Sequence, residues 1–303
     1  MISRISTSLN DRTARLAGIG LMLAGIWAFS FGDVIGKYLV ADYPVGQLLF
    51  LRACAALALL APMMWRARHE FMRLERPGLH VVRVLLSTLE SAAFFTSVIY
   101  LPLADVITYY LACPIFVTAL SAIVLREKVG WRRWAAVLVG FGGVLIALRP
   151  STQTISWPAL IALGGSLSFA MLMLVTRSLR GAPDIVLASS QSIGTLVFGA
   201  LLLPVGWQTP TLPAFGMFML AGAISVGALV CVNRSLKLAP ASVVVPYQYT
   251  MIIWAVIFGY VVFGDPPSLA TLIGAAIIIG AGIYIFLREQ ALGTGDDTVN
   301  PPA

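Results

Sequence analysis

Apolar residues come in ten long runs along this chain, and short polar stretches separate them. The first run, 17–40, reads AGIGLMLAGIWAFSFGDVIGKYLV. About twenty apolar residues are what a helix needs to cross a bilayer. Nine more runs follow, at 45–65, 79–101, 104–125, 131–148, 157–178, 184–206, 212–234, 241–263 and 268–288. Proline marks many of the joints, among them Pro44, Pro77, Pro102, Pro183 and Pro240, as expected where one helix stops and the next starts. The pattern predicts an all-α integral membrane protein of ten transmembrane helices. A polar tail precedes them at 1–16, and a polar, disordered tail follows at 291–303. No A-x-A-like cleavage site follows the basic tail, so the first run counts as a span and not as a signal peptide.

The basic residues set the orientation. Cytoplasmic loops carry the excess of Lys and Arg. With ten spans and the N-terminus inside, seventeen of the twenty basic residues fall in inside segments. Arg66, Arg68, Arg73, Arg76 and Arg83 are assigned to the segment before the third span, and Arg177 and Arg180 to the segment after the sixth. Both termini are therefore expected in the cytoplasm. Composition agrees: 59% of residues are hydrophobic and 11% charged, against about 25% charged in soluble domains. The net charge of +7 sits in short loops and is a topology signal, not a nucleic-acid surface. Cys54, Cys113 and Cys231 lie inside apolar runs without metal or disulfide spacing, and the two histidines, His69 and His80, flank a polar loop. No metal site or cofactor is expected.

The chain repeats at a period of about 140 residues. AGIWAFSFGDVIGKYL from Ala24 aligns on GGSLSFAMLMLVTRSL from Gly164, pairing Lys37 with Arg177. The block from Tyr100 aligns on the block from Lys237. Residues 17–150 and 151–290 then form two units of five helices. Five is odd, so the second unit enters the membrane upside down. Inverted repeats of this kind typify secondary transporters, with the substrate near the midplane between the halves.

Charges inside the spans mark a central cavity, since intramembrane ionisable residues normally face a bundle interior. Asp33 and Lys37 share one face of the first helix. Arg52 lies at the depth of Asp33 on the second, and Glu90 near the middle of the third. Asp33 with Arg52 is a candidate structural ion pair; equally, Lys37 can snorkel to the interface with Asp33 merely neutralising it. Tyr109 and Tyr110 open the fourth run, and Tyr247, Gln248 and Tyr249 open its repeat mate. Trp27, Phe94, Phe169 and Trp254 add rings, and Ser30 and Ser166 add hydroxyls. Rings with a few placed polar groups line small-molecule pockets. Singly, the same residues serve as packing, interface belts or interhelical glue. The fifth and tenth runs carry Gly140, Gly143, Gly274 and Gly280 and suit scaffold or homodimer contact.

These features resemble the drug/metabolite transporter superfamily, in its ten-helix form made of two EamA repeats. The carriers are the first-helix pattern from Trp27 through Lys37, L-x-x-A at 101–104 and again at 238–241, and the acidic residues Glu127 and Asp265 ending the fourth helix of each repeat. Within that superfamily the chain is most similar to bacterial inner-membrane exporters of aromatic amino acids. The resemblance implies a cavity lined by the first, third, fourth, sixth, eighth and ninth helices. It also implies export of aromatic or apolar amino acids and related metabolites by alternating access in the inner membrane. Sugar-phosphate or nucleotide-sugar exchange needs a stronger basic clamp for a phosphate of about −1.5 to −2 charge. Proton-coupled drug efflux would use Glu90 or Asp33 as the titrating acid. An intramembrane enzyme is disfavoured, because neither H-E-x-x-H nor G-x-S-x-G occurs.

Overall fold

The prolines between the apolar runs stand at the starts of helices, as their fixed φ and missing N–H require. The computed structural model describes residues 2–72, 74–114, 116, 117, 120, 131–148 and 157–264, with 269, 272–274, 276, 277, 280, 281 and 284. Glu127, Asp265, the tail at 291–303 and much of the tenth run lie outside the described residues. Helix α1 spans Ile2–Val40, α2 Val45–Arg66, the short α3 Arg68–Met72, α4 Pro77–Tyr100 and α5 Leu103–Tyr110. Then come α6 Trp131–Leu148, α7 Trp157–Ser178, α8 Asp184–Leu202, α9 Leu212–Leu238, α10 Ala241–Val244 and α11 Met251–Phe263. Pro44, Pro102, Pro183 and Pro240 stand at the N-caps of α2, α5, α8 and α10.

Among the described residues there is no strand, and six helices are long and apolar enough to cross a membrane: Thr13–Val40, Val45–Arg66, Pro77–Tyr100, Trp157–Ser178, Asp184–Val205 and Leu212–Leu238. Tyr247–Phe263 is a shorter apolar helix. The tail before the first span is helical from Ile2 onward, continuous with it.

Two spans depart from the expected continuous helix. In the fourth, α5 stops at Tyr110, and Leu111 and Ala112 form a turn. In the ninth, a 3-10 stretch over Val245–Thr250 separates α10 from α11. Pro114 and Pro246 explain both, since a proline inside a helix removes a backbone donor and crowds the preceding turn. In the repeat alignment Leu111 falls opposite Gln248, so the two breaks coincide.

The packing inverts the soluble pattern. Gln47, Arg83, Asn233 and Gln248 are at most 2% exposed, whereas Leu85, Leu201 and Leu212 are 64%, 72% and 84% exposed. Apolar side chains turned outward in this way belong against lipid tails. Helix α1 runs along α9, α4 along α7 and α2 along α8; α5 and α11 touch each other. Small residues permit these close approaches. At Gly199 of α8 an added Cβ would lie 2.6 Å from the backbone nitrogen of Phe50 in α2. At Gly143 of α6 it would lie 2.9 Å from the carbonyl oxygen of Gly274. The fifth and tenth runs thus meet each other inside one chain.

Candidate functional site

The face of α4 that turns inward reads His80, Arg83, Ser87, Ser91 and Phe94, steps of three and four residues that keep one stripe on one side of a helix. All five are buried. Against this stripe the other helices leave a cavity with about 80 Å³ of free interior volume and an open mouth. Four charged side chains line it: Asp33 from α1, Arg52 from α2, and Arg83 and Glu90 from α4. Phe29, Phe94, Phe95, Tyr110 and Phe169 supply ring surface, and Thr176, Gln191, Ser225, Asn233 and Gln248 supply neutral polar groups.

The charges divide into two groups. Asp33, Arg52 and Glu90 lie together on one part of the cavity wall. The Arg52 guanidinium stands 5.1 Å over the ring of Phe95, and Ser91 Oγ donates to Glu90 Oε2 at 3.0 Å. Arg83 lies seven residues from Glu90, about 10 Å along the helix axis at 1.5 Å per residue. Its partners are all neutral. Nε donates to Thr176 Oγ1 at 2.9 Å, Nη1 to the Leu187 carbonyl at 2.8 Å, and Nη2 to Gln191 Oε1 at 3.1 Å and Asn233 Oδ1 at 3.0 Å. One side chain of α4 therefore ties α7, α8 and α9 together.

The break after α5 is built into the wall. Pro114 has no N–H for the carbonyl of Tyr110, four residues back, and Ser166 Oγ of α7 donates to it instead at 3.2 Å. The Tyr110 hydroxyl in turn donates to the Glu90 carbonyl at 3.0 Å, and its ring meets Phe94 edge-on at 5.2 Å. Ser166→Ala is expected to leave that carbonyl without a donor, at about 1 kcal/mol. Thermal unfolding in detergent should show it as a fall of a few degrees, and an unchanged midpoint would mean that the carbonyl finds another donor.

Of the residues expected at the site, Asp33, Glu90, Phe94, Tyr110, Phe169 and Gln248 are on the cavity wall with Arg52. Trp27, Ser30, Lys37, Tyr109, Ser166, Tyr247, Tyr249 and Trp254 are not on it. Trp27 is 47% exposed and stacks on Phe31. Lys37 Nζ lies 4.7 Å over the ring of Phe263, Trp254 stacks on Phe258, and the buried Tyr249 ring packs against Gly140. Asp33 and Arg52 share the cavity, but no direct ion pair closes between them. The side-chain ion pairs among the described residues are those of Asp184 with Arg234 and Lys237.

Arg83 corrects the sequence-based assignment. Counted as a loop charge, it lies almost two turns inside α4 and is 1% exposed, because the acceptors of three neighbouring helices converge on it. His80 is likewise buried, one turn earlier. It borders a separate pocket that also has Arg76 and Arg180 on its wall, which puts those two arginines at the same end of the molecule. Thr176, Gln191 and Asn233 went unnoticed for the same reason as Arg83. The signal available was the stripe at 80, 83, 87, 91 and 94.

Outward-facing apolar helices around an internal cavity lined by rings, charges and neutral polar groups define a multi-pass membrane protein. The chain belongs to the EamA-like transporter family, whose sequence profile matches residues 16–149 and again 156–288. It is a membrane transporter of the drug/metabolite transporter superfamily. It is 28% identical to a riboflavin transporter of Rhizobium johnstonii, over 95% of this chain and 97% of that one. It is 26% identical to an S-adenosylmethionine uptake transporter of Rickettsia felis, over 91% and 94%. A pseudopaline exporter of Pseudomonas aeruginosa is 24% identical over 88% and 95%. These relatives are named for riboflavin, S-adenosylmethionine and pseudopaline, not for the aromatic amino acids that the resemblance implied. A crystal structure at 17% identity superimposes with a TM-score of 0.71, covering 93% of this chain and 99% of that chain, a likeness of fold.

Proposed function

We propose that the protein is a secondary transporter of small metabolites that carry an aromatic or heteroaromatic ring and a polar head with both signs of charge. Aromatic amino acids belong to this class, and so does S-adenosylmethionine. The observation that carries the reading is the cavity wall: Arg83 at one end, the Asp33, Arg52 and Glu90 group at the other, and the rings of Phe94, Phe95 and Tyr110 beside that second group. Four lining charges of balanced sign suit a molecule that is itself near neutral overall. The relatives include uptake transporters and an exporter, so family membership leaves both directions open to one scaffold.

Ten helices in two inverted repeats and alternating access complete the proposal. Supporting it are the two successive profile matches, the coincident breaks in the fourth and ninth spans, and the packing of α1 with α9 and of α4 with α7, which are repeat-equivalent pairs. The basic residues of the inside segments favour an inner membrane location with both termini in the cytoplasm. The cavity forms within one chain, which makes the single chain the transporting unit whether or not the fifth and tenth spans pair two copies.

The test is flux into and out of proteoliposomes, with labelled tryptophan, S-adenosylmethionine, riboflavin and glucose 6-phosphate, with and without an uncoupler. Saturable flux of a ring-bearing zwitterion is expected, falling at least tenfold in Glu90→Gln and in Asp33→Asn. Flux of the sugar phosphate alone would replace this reading with phosphate exchange. Loss of flux on adding the uncoupler would show that transport is coupled to protons.

A further inference from the structure

The bonding at Arg83 is incomplete in a particular way. A guanidinium has five N–H donors and accepts nothing. Four hydrogen bonds are made, all to neutral oxygens, which leaves one donor and the whole positive charge without a carboxylate in contact. Buried charges in membrane spans are normally paired.

Asn233 stands beside it in the same condition. Its Oδ1 must face Arg83, because a guanidinium can only donate, so the orientation of the amide is fixed. That leaves both N–H groups of Nδ2, and this atom is buried without a partner in a residue 2% exposed. Arg83 and Asn233 both line the cavity. Among the described residues this corner thus offers three unused donors and a positive charge. Buried polar groups in native structures nearly always have partners, so a missing partner here is a statement about what arrives.

We infer that the Arg83 and Asn233 corner receives a carboxylate of the transported molecule, held by Asn233 Nδ2 and the fifth guanidinium N–H. A single guanidinium already bonded to four oxygens matches one negative charge, not a phosphate dianion. Glu90, with Asp33 and Arg52 sharing its part of the cavity wall, lies about 10 Å away along α4 and takes the cationic or donor end. An α-amino acid carries both of its charges on one carbon and does not span this distance with them, so its carboxylate lies at Arg83 and its ring reaches along the cavity toward the rings beside Glu90. The inference rests on the transport reading for its occupant, but the corner can be tested without knowing the substrate.

Purified protein is titrated with indole-3-acetate, its neutral isostere indole-3-acetamide, and phenyl phosphate, reading the unfolding midpoint and calorimetric affinity. Indole-3-acetate is expected to bind at least tenfold more tightly than the amide and more tightly than phenyl phosphate. Asn233→Asp places a permanent carboxylate on Arg83; it should raise the midpoint of the ligand-free protein and abolish the preference for the acid. Asn233→Ala, which removes the donors without adding charge, should cut that preference at least threefold, and serves if the aspartate variant does not fold. Equal binding of acid and amide by the wild type, no binding of either, or an acid preference kept by both variants overturns the corner. Tighter binding of phenyl phosphate overturns the carboxylate. Proteoliposome flux separates the two claims: flux of ring-bearing zwitterions without acid discrimination sinks the corner alone, and acid discrimination without such flux sinks the substrate class alone.

Discussion

Arg83→Met is expected to abolish flux and to lower stability by about 2–4 kcal/mol, the net of three opposing effects. Hydrogen bonds to a charged group contribute about 1.5–3 kcal/mol each in soluble proteins, but interhelical ones in membranes average about 0.6. Removing a buried charge also returns its desolvation cost, so an apolar replacement of similar shape can come out neutral. Here it does not, because the buried oxygens of Thr176, Gln191 and Asn233 lose the donor that Arg83 supplies, while the Leu187 carbonyl keeps Ser190 Oγ at 3.2 Å. The two amides can repair part of the loss by bonding to each other, which sets the upper bound. Arg83→Lys keeps the charge but not the planar fork that reaches three helices at once, and should fall between. Thermal unfolding in detergent and proteoliposome flux measure both effects; a methionine variant with normal midpoint and normal flux would remove Arg83 from the architecture and from the mechanism.

Gly199→Val should be as damaging, for a reason of packing alone. The added Cβ would lie 2.6 Å from the nitrogen of Phe50, 2.8 Å from the carbonyl oxygen of Gly46 and 2.9 Å from the Cα of Phe50. All three atoms are backbone of α2 and cannot rotate away. Overpacking costs about 1–3 kcal/mol where side chains can adjust, and more where they cannot, so about 3 kcal/mol or failure to fold is expected. The consequence reaches the cavity, because α2 carries Arg52 and α8 carries Gln191; separating these helices displaces both. Gly142→Ala, where nothing lies within 4 Å, is the control and should leave yield, midpoint and flux unchanged. Equal behaviour of the two variants in fluorescence-detected size exclusion would show that the α2 to α8 approach is not tight.

The misassignment of Arg83 and the exposure of Trp27 have one cause. A hydropathy pattern says that a segment enters the bilayer, but a charge within two turns of its end fits either the interface or the interior. Which holds depends on whether neighbouring helices bring acceptors to it. Thr176, Leu187, Gln191 and Asn233 do so from 93 to 150 residues away in sequence. Trp27 belongs to the motif that carried the family resemblance, yet it faces outward, because a motif fixes residue identity and not the rotation of the helix about its axis. Tyr110 and Gln248 were legible for a different reason: tyrosines with polar companions recur at equivalent positions of the fourth and ninth runs, and rings with a few placed polar groups line small-molecule pockets.

The sequence by itself determined that this chain lives in a membrane, where its helices begin, and that its two halves are related. A bilayer accepts only long apolar helices with their backbone bonds closed internally, and that demand is written locally, residue by residue. Only the tertiary structure decided which stripe of each helix turns inward, that Lys37 and most of the aromatic candidates stand off the cavity, and that Arg83 stands on it among neutral oxygens. Those outcomes depend on where distant helices meet, and the energy of a buried charge is set by neighbours that no single span contains.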